Sequence, residues 1–149
     1  MKKIINVLAG LIAAAMLCSA FTSCKKDTDA KTKAYFVSQN SPEAMDFCDD
    51  NYVYFYSLGL DIGVREADAE AELESKAKYS VSAGNFDNGT VVLSDWKIWN
   101  AQEQKWEDPS SLRAASLPEA EYDDETETTT IYIVDGSYDY YGSIFARIK

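Results

Sequence analysis

The side chains of this sequence that could meet a ligand are aromatic. Trp96 and Trp99 stand three apart in Asp95-Trp96-Lys97-Ile98-Trp99-Asn100, and Trp106 follows Lys105. A tryptophan face beside Asp, Asn and Gln suits stacking on a sugar ring. Tyr52, Tyr54, Tyr56, Tyr79, Tyr138 and Tyr140 form a second set. Each offers an apolar body with a polar tip, the chemistry of a small-ligand pocket. Packing is the competing reading for both sets. One tryptophan would lie in the core and the other under a loop, since positions 96 and 99 of a strand face opposite sides. The tyrosines would fill a core with their hydroxyls at its ends, because an eight-stranded barrel holds only side chains or one small ligand.

Other chemistry is largely excluded. The 149 residues contain no histidine, so Ser-His-Asp and Cys-His arrangements and His-ligated metals are out. Twenty-five acidic groups face 14 basic ones, a net charge of −11, which does not suit the phosphate backbone of nucleic acid. The acidic run Glu119, Glu121, Asp123, Asp124, Glu125, Glu127 carries hard oxygen ligands. Its spacing matches no calcium loop and no glycine supplies the sharp turn, so it reads as a solvated loop. Nothing singles out two carboxylates for acid–base work, and there is no phosphate-cradling glycine loop or nucleophile elbow. The expectation is a protein that is not an enzyme, with no metal and no cofactor.

The N-terminus carries an address. Lys2 and Lys3 precede an apolar run from Ile4 to Leu17, and Phe21-Thr22-Ser23-Cys24 follows. A basic start, a short apolar stretch and small residues before a cysteine suit a signal helix that is cleaved ahead of Cys24. The Cys24 thiol would accept the lipid. The competing reading, an uncleaved transmembrane anchor, wants roughly 20 apolar residues, more than this run has. Cys18 follows the larger Leu17 and is the poorer site.

The expected organisation is then a signal peptide at 1–23, a lipidated Cys24 with a tether to 33, and one domain at 34–149. The tether Lys25-Lys26-Asp27-Thr28-Asp29-Ala30-Lys31-Thr32-Lys33 has no large apolar side chain with which to pack. The domain holds 8 basic against 23 acidic groups, a net of −15. A basic leash would hold an acidic body that anionic head groups repel. Cys48 is the one thiol left in the domain. It cannot form an internal disulfide and reads as a small buried apolar residue, so stability rests on a hydrophobic core.

Period two dominates the domain. Even positions from Tyr52 to Val64 are all large and apolar or aromatic: Tyr52, Tyr54, Tyr56, Leu58, Leu60, Ile62, Val64. The phase then inverts, with Ala69, Ala71, Leu73, Ala77, Tyr79 and Val81 at odd positions and Glu or Lys between most of them. These runs predict a long hairpin in which Tyr54 faces Tyr79 and Leu60 faces Leu73. Residues 66–78 are also rich in helix formers, with Glu72–Lys76 and Glu74–Lys78 as i,i+4 pairs. Strand is preferred over 72–83, and 65–71 stays open between helix and strand. Further strands are predicted at 34–38, 45–48, 90–94, 96–100, 105–107 and 128–134. A last strand is predicted over 137–148, with Tyr138, Tyr140, Ile144, Ala146 and Ile148 on one face. Asp49-Asp50-Asn51, Asn88-Gly89 and Asp135-Gly136 are the turns.

The sum is an all-β fold, an antiparallel meander or barrel of about eight strands. The signal end Ser23-Cys24-Lys25-Lys26-Asp27 resembles those of Bacteroidetes lipoproteins. Met45–Tyr56, Lys78-Tyr79-Ser80-Val81 and Asn88–Leu93 resemble the successive hairpins of the lipocalin-like lipoproteins of that group. The Gly-x-Trp of true lipocalins is missing. The resemblance implies an outer-membrane protein held by its lipid, its face of the membrane open. Its barrel would bind a small apolar or glycan ligand, with the tyrosines on one inner face and Trp96 and Trp99, on opposite sides of their strand, as further candidate contacts. The alternative is a structural or protein-interaction accessory lipoprotein without a pocket.

Overall fold

The computed structural model of the chain describes residues 30–59, 61–65, 71–109, 121–123 and 125–149. The signal segment, Cys24, Leu60 and residues 66–70 lie outside them, as do Glu119 and Asp124 of the acidic run. Residues 121–123 of that run, expected in a solvated loop, form a short strand.

The domain is all-β. The first five strands are β1 (Thr32–Ser38), β2 (Glu43–Cys48), β3 (Tyr52–Ser57), β4 (Glu72–Gly84) and β5 (Gly89–Asn100). They are followed by β6 (Lys105–Glu107), β7 (Glu121–Asp123), β8 (Thr128–Ile133), β9 (Ser137–Tyr140) and β10 (Ser143–Ile148). All pairings are antiparallel, in the order β7-β8-β5-β4-β3-β2-β1-β10-β9, with β6 on β5. The sheet curls until first and last strands pair, Tyr35 opposite Ile148. It meets itself where Val134 and Ser137 form a bridge between β8 and β9. Following partners from Ile98 through Ser75, Phe55, Met45 and Phe36 to Arg147, and on across that bridge, leads back to β5 near Gly89. This stagger is the strand tilt that closure of a barrel requires.

Side chains from both faces are buried. Phe36, Phe47, Val53, Ala77, Tyr79, Leu93, Ile131, Tyr138 and Phe145, from eight different strands, fill the inside. A second cluster lies on the opposite face: Tyr35, Val37, Cys48, Tyr54, Tyr56, Leu58 and Leu73, with Trp99 and Trp106 packed against it.

β4 shows why alternation prevailed over composition. As a helix its apolar stripe would be narrow. As a strand it buries Leu73 and the stem of Lys76 on one face and Ala77 and Tyr79 on the other. The gain from those burials exceeds the few tenths of a kcal/mol that each i,i+4 pair would add.

Three expectations are corrected. β3 stops at Ser57, and the described residues among 58–64 form no strand. With the longer connection the register shifts, and Tyr54 faces Lys76, not Tyr79. The predicted last strand is a hairpin, with Tyr141 (φ 52°) and Gly142 (φ 86°) as its turn. The turn moves Ile144 outward, where it is 49% exposed. Finally, 96–100 continues β5 past Asp95, whose φ of 50° marks a bulge. The register of β4 on β5 slips there, between Lys76 and Lys78.

The turns at one end of the barrel are locked together. Asp135 (φ 49°) and Gly136 (φ 70°) make the tight turn predicted from the sequence, closed by Val134 and Ser137 N–H···O bonds of 2.9 and 3.0 Å. Gly136 N–H donates to Asp87 O at 2.7 Å, and Asp135 N–H to Asn88 Oδ1 at 3.0 Å. Arg147 reaches Asp87 at 2.9 Å. Gly84 (φ 66°) opens the β4–β5 loop, where a Cβ would stand 2.1 Å from Asn88 O.

Candidate functional site

The expectation of one shared inner face fails for half of the tyrosines. β3 reads Tyr52-Val53-Tyr54-Phe55-Tyr56, and its inner residues are Val53 and Phe55. Tyr52, Tyr54 and Tyr56 belong to the outer cluster. Tyr79, Tyr138, Tyr140 and Trp96 are inside. Trp96 and Trp99 do face opposite sides, and both are packed: Trp96 against the interior, Trp99 against Trp106 at 5.1 Å between ring centres.

Three tyrosine hydroxyls are satisfied within the chain. Tyr54 Oη donates to Asp50 Oδ2 at 2.6 Å, Tyr79 Oη to Cys48 O at 2.7 Å, and Tyr138 Oη to Met45 Sδ at 2.8 Å. These bonds remove the desolvation cost that would otherwise call for water or a ligand beside them. Burial pushes the Tyr79 phenol up to about 12, helped by Cys48 and by the carboxylates of Asp50, Asp49 and Asp46. Tyr138 and Tyr140 are raised well above the ordinary tyrosine value, again first by burial.

The two ends of the interior differ. At the end with the locked turns, Phe86 folds down from the β4–β5 loop onto Phe36, Phe47 and Tyr79, with ring centres 6.4, 5.1 and 5.9 Å away. That end is plugged. Beyond its rim lies a shallow cleft of about 430 Å³ bordered by Asp87, Asp135, Ser137, Arg147 and Lys149. Its guanidinium is already paired with Asp87.

At the other end three half-buried rings converge from strands that are not neighbours. Phe55 of β3 lies 5.0 Å from Trp96 of β5 and 6.0 Å from Tyr140 of β9. Tyr141 packs edge-on to Tyr140 at 4.5 Å. Its hydroxyl is buried with no hydrogen-bond partner among the described residues.

The surround of these rings is polar. The β1–β2 and β9–β10 turns clasp one another: Asn40 Nδ2 donates to Gly142 O at 2.9 Å, and Ile144 N–H to Asn40 Oδ1 at 2.8 Å. Glu43 Oε2 accepts from Ser41 Oγ at 2.5 Å and Ser143 Oγ at 2.7 Å. The Glu43 carboxylate also helps raise Tyr140. Glu74 at the start of β4 reaches solvent, yet crowding around its carboxyl raises it above the ordinary value, with Glu43 and Glu72 adding repulsion. The site therefore pairs an aromatic floor with hydroxyls and carboxylates. Of the residues predicted, it brings together Trp96 and Tyr140. Phe55, Tyr141 and Glu43 were missed. The unbroken aromatic run of β3 was the signal for Phe55, and Gly142 was the signal for the turn that places Tyr141.

The outer aromatics are engaged differently. Lys76 is 7% exposed, and its ammonium lies 4.4 Å from the ring centres of both Tyr52 and Trp106 and 5.9 Å from Tyr54. The cation sits on these rings with the geometry of a cation–π contact. Their faces are thereby taken up by a group of the chain itself.

Among the described residues no group of His, Cys, Asp and Glu is placed to hold a metal ion, and no helix is long and apolar enough to cross a membrane. No protein-family model, curated protein or solved structure matches the chain.

Proposed function

We propose that the chain is a non-catalytic binding module of the cell envelope, anchored in the outer membrane through lipid on Cys24. Its small ligand, apolar or glycan, is held at the aromatic end of the barrel, not along its length. The convergence of Phe55, Trp96 and Tyr140 from three separate strands carries this reading. Flat ring faces beside hydroxyl and carboxylate groups take the alternating apolar and polar faces of a sugar. The unpartnered Tyr141 hydroxyl supplies a buried polar group that a ligand hydroxyl would satisfy.

Tryptophan fluorescence, titrated with soluble oligosaccharides and with fatty acids, tests the proposal. A saturable change that is lost in Trp96→Leu and weakened in Tyr140→Phe supports it. Binding that survives both substitutions, or calorimetric silence with both ligand classes, overturns it.

One observation favours the second reading, an accessory interaction protein without a pocket. The hydroxyls of Tyr54, Tyr79 and Tyr138 are bonded within the chain, so they give no reason for a ligand in the deeper barrel. Silence in the titration, together with a stoichiometric protein partner recovered after cross-linking in intact envelopes, selects it.

A further inference from the structure

We infer that the barrel stands on its bilayer by the plugged end, so that the aromatic end opens away from the membrane and takes its ligand from the aqueous phase. This rests on the proposed lipidation of Cys24. The observation beneath it is where the tether joins the body. Lys31 and Asp49 are bonded twice: Lys31 N–H donates to Asp49 Oδ1 at 2.8 Å, and Asp49 N–H donates to Lys31 O at 2.9 Å. Thr32 Oγ1 adds a bond to Asp46 Oδ2 at 3.1 Å. The leash is thus fixed to the β2–β3 turn.

That turn lies at the same end as the β4–β5 loop and the Asp135-Gly136 turn, because successive hairpins of an antiparallel barrel alternate between its ends. The β1–β2 and β9–β10 turns, which border the aromatic floor, lie at the opposite end. From Cys24 to Lys31 there are seven residue steps, at most roughly 25 Å of extended chain. A barrel strand of six or seven residues spans roughly 20 Å before tilt. The leash therefore keeps the plugged end near the lipid surface, and turning the body over would consume nearly all of its length.

The charges at this end are mixed: Asp49, Asp50, Asp87 and Asp135 sit in its turns, with Lys31, Arg147 and Lys149 beside them. The orientation rests on the leash and not on charge. A ligand resident in the bilayer would have to travel round the barrel to reach the floor, whereas a dissolved one approaches directly.

The test uses full-length protein purified from membranes and placed in vesicles of phosphatidylcholine and phosphatidylglycerol containing a nitroxide head-group lipid. One fluorophore is attached at Lys149→Cys, at the plugged end, or at Gln39→Cys, at the aromatic end. Both positions are exposed, and native Cys48 is buried. Intact mass first reports whether residue 24 carries lipid. With lipid present, severalfold stronger quenching at 149 than at 39 is the expected result. Equal quenching, or stronger quenching at 39, overturns the orientation and leaves the anchor standing. A chain without lipid at residue 24 that still reaches the membrane overturns the anchor, and the orientation with it.

Discussion

The phenol of Tyr79 donates to the carbonyl of Cys48 at 2.7 Å, and the Tyr79 backbone N–H donates to Asn51 O at 2.9 Å. One residue of β4 thus holds both sides of the β2–β3 turn, the turn to which Lys31 is also bonded. Tyr79→Phe keeps the ring and loses only the first bond. It is expected to cost about 1 kcal/mol, read as a lower urea midpoint at unchanged slope. No loss of stability would show that the bond contributes nothing net.

Alkaline pH should act through the inner phenols. The Tyr79 phenol is held up at about 12, and Tyr138 and Tyr140 are also raised. An unfolded tyrosine ionises near pH 10. The folded state therefore keeps protons that the unfolded state loses, and its stability falls as pH rises from about 10 towards 12. The ultraviolet absorbance of phenolate should show one group of tyrosines titrating normally and another appearing only with unfolding. A single ordinary transition for all ten tyrosines would contradict this.

Glu74 gives the opposite kind of pH effect. Its carboxyl is raised by burial and by the carboxylates of Glu43 and Glu72, so at neutral pH its charge is a cost to the fold. Glu74→Gln should stabilise the protein at pH 7 by a few tenths of a kcal/mol, within the range of exposed charge pairs. The difference should shrink as pH falls below the raised value and vanish below the ordinary carboxylate value, where Glu74 is protonated in folded and unfolded chains alike. Thermal midpoints of both proteins across the acid range decide it.

Phe86 is half-buried, but it covers the rings of three others. Phe86→Ala should lower stability by roughly 2–4 kcal/mol, at or somewhat below the usual range for a fully buried ring. Exchange of the amides around Val134 and Ser137 should speed up with it, since the same loop holds that turn through Asp87 and Asn88. An effect below about 1 kcal/mol would mean that the plug only fills space that water fills as well.

Lys76 and Trp106 should be coupled. A double-mutant cycle on Lys76→Met and Trp106→Leu is expected to give roughly 0.5–2 kcal/mol of interaction, the range of partly desolvated cation–π pairs. Strict additivity would reduce the contact to mere proximity.

The sequence was legible where one face was polar. The alternating charges of β4 and the Asp135-Gly136 pair led to the observed strand and turn. β3 was not legible, because Tyr52-Val53-Tyr54-Phe55-Tyr56 is apolar on both faces, and period two cannot then say which side is inward. The answer lay in the second outer cluster, which no local pattern announces. Trp96 and Trp99 could be assigned to opposite faces from their spacing, but the Asp95 bulge decided which of them turned inward. The break at Tyr141-Gly142 was hidden because alternation continues through Tyr138 and Tyr140 towards it. Of the candidate site, Trp96 and Tyr140 could be read as aromatic, whereas their meeting with Phe55 depends on closure of the whole sheet.

Pairing of the first strand with the last also sets a clock. Tyr35 and Ile148 are partners although 113 positions separate them. The β1–β2, β2–β3, β3–β4 and β4–β5 hairpins can form from local contacts, but the outer edge of β1 has no partner until β10 exists. Bringing such distant segments together carries the loop-closure entropy that slows all-β folding. A chain emerging from its N-terminus therefore passes through an open, curled sheet whose free edge is able to pair with a neighbour. That interval is the time over which the open edge would have to be shielded from other strands.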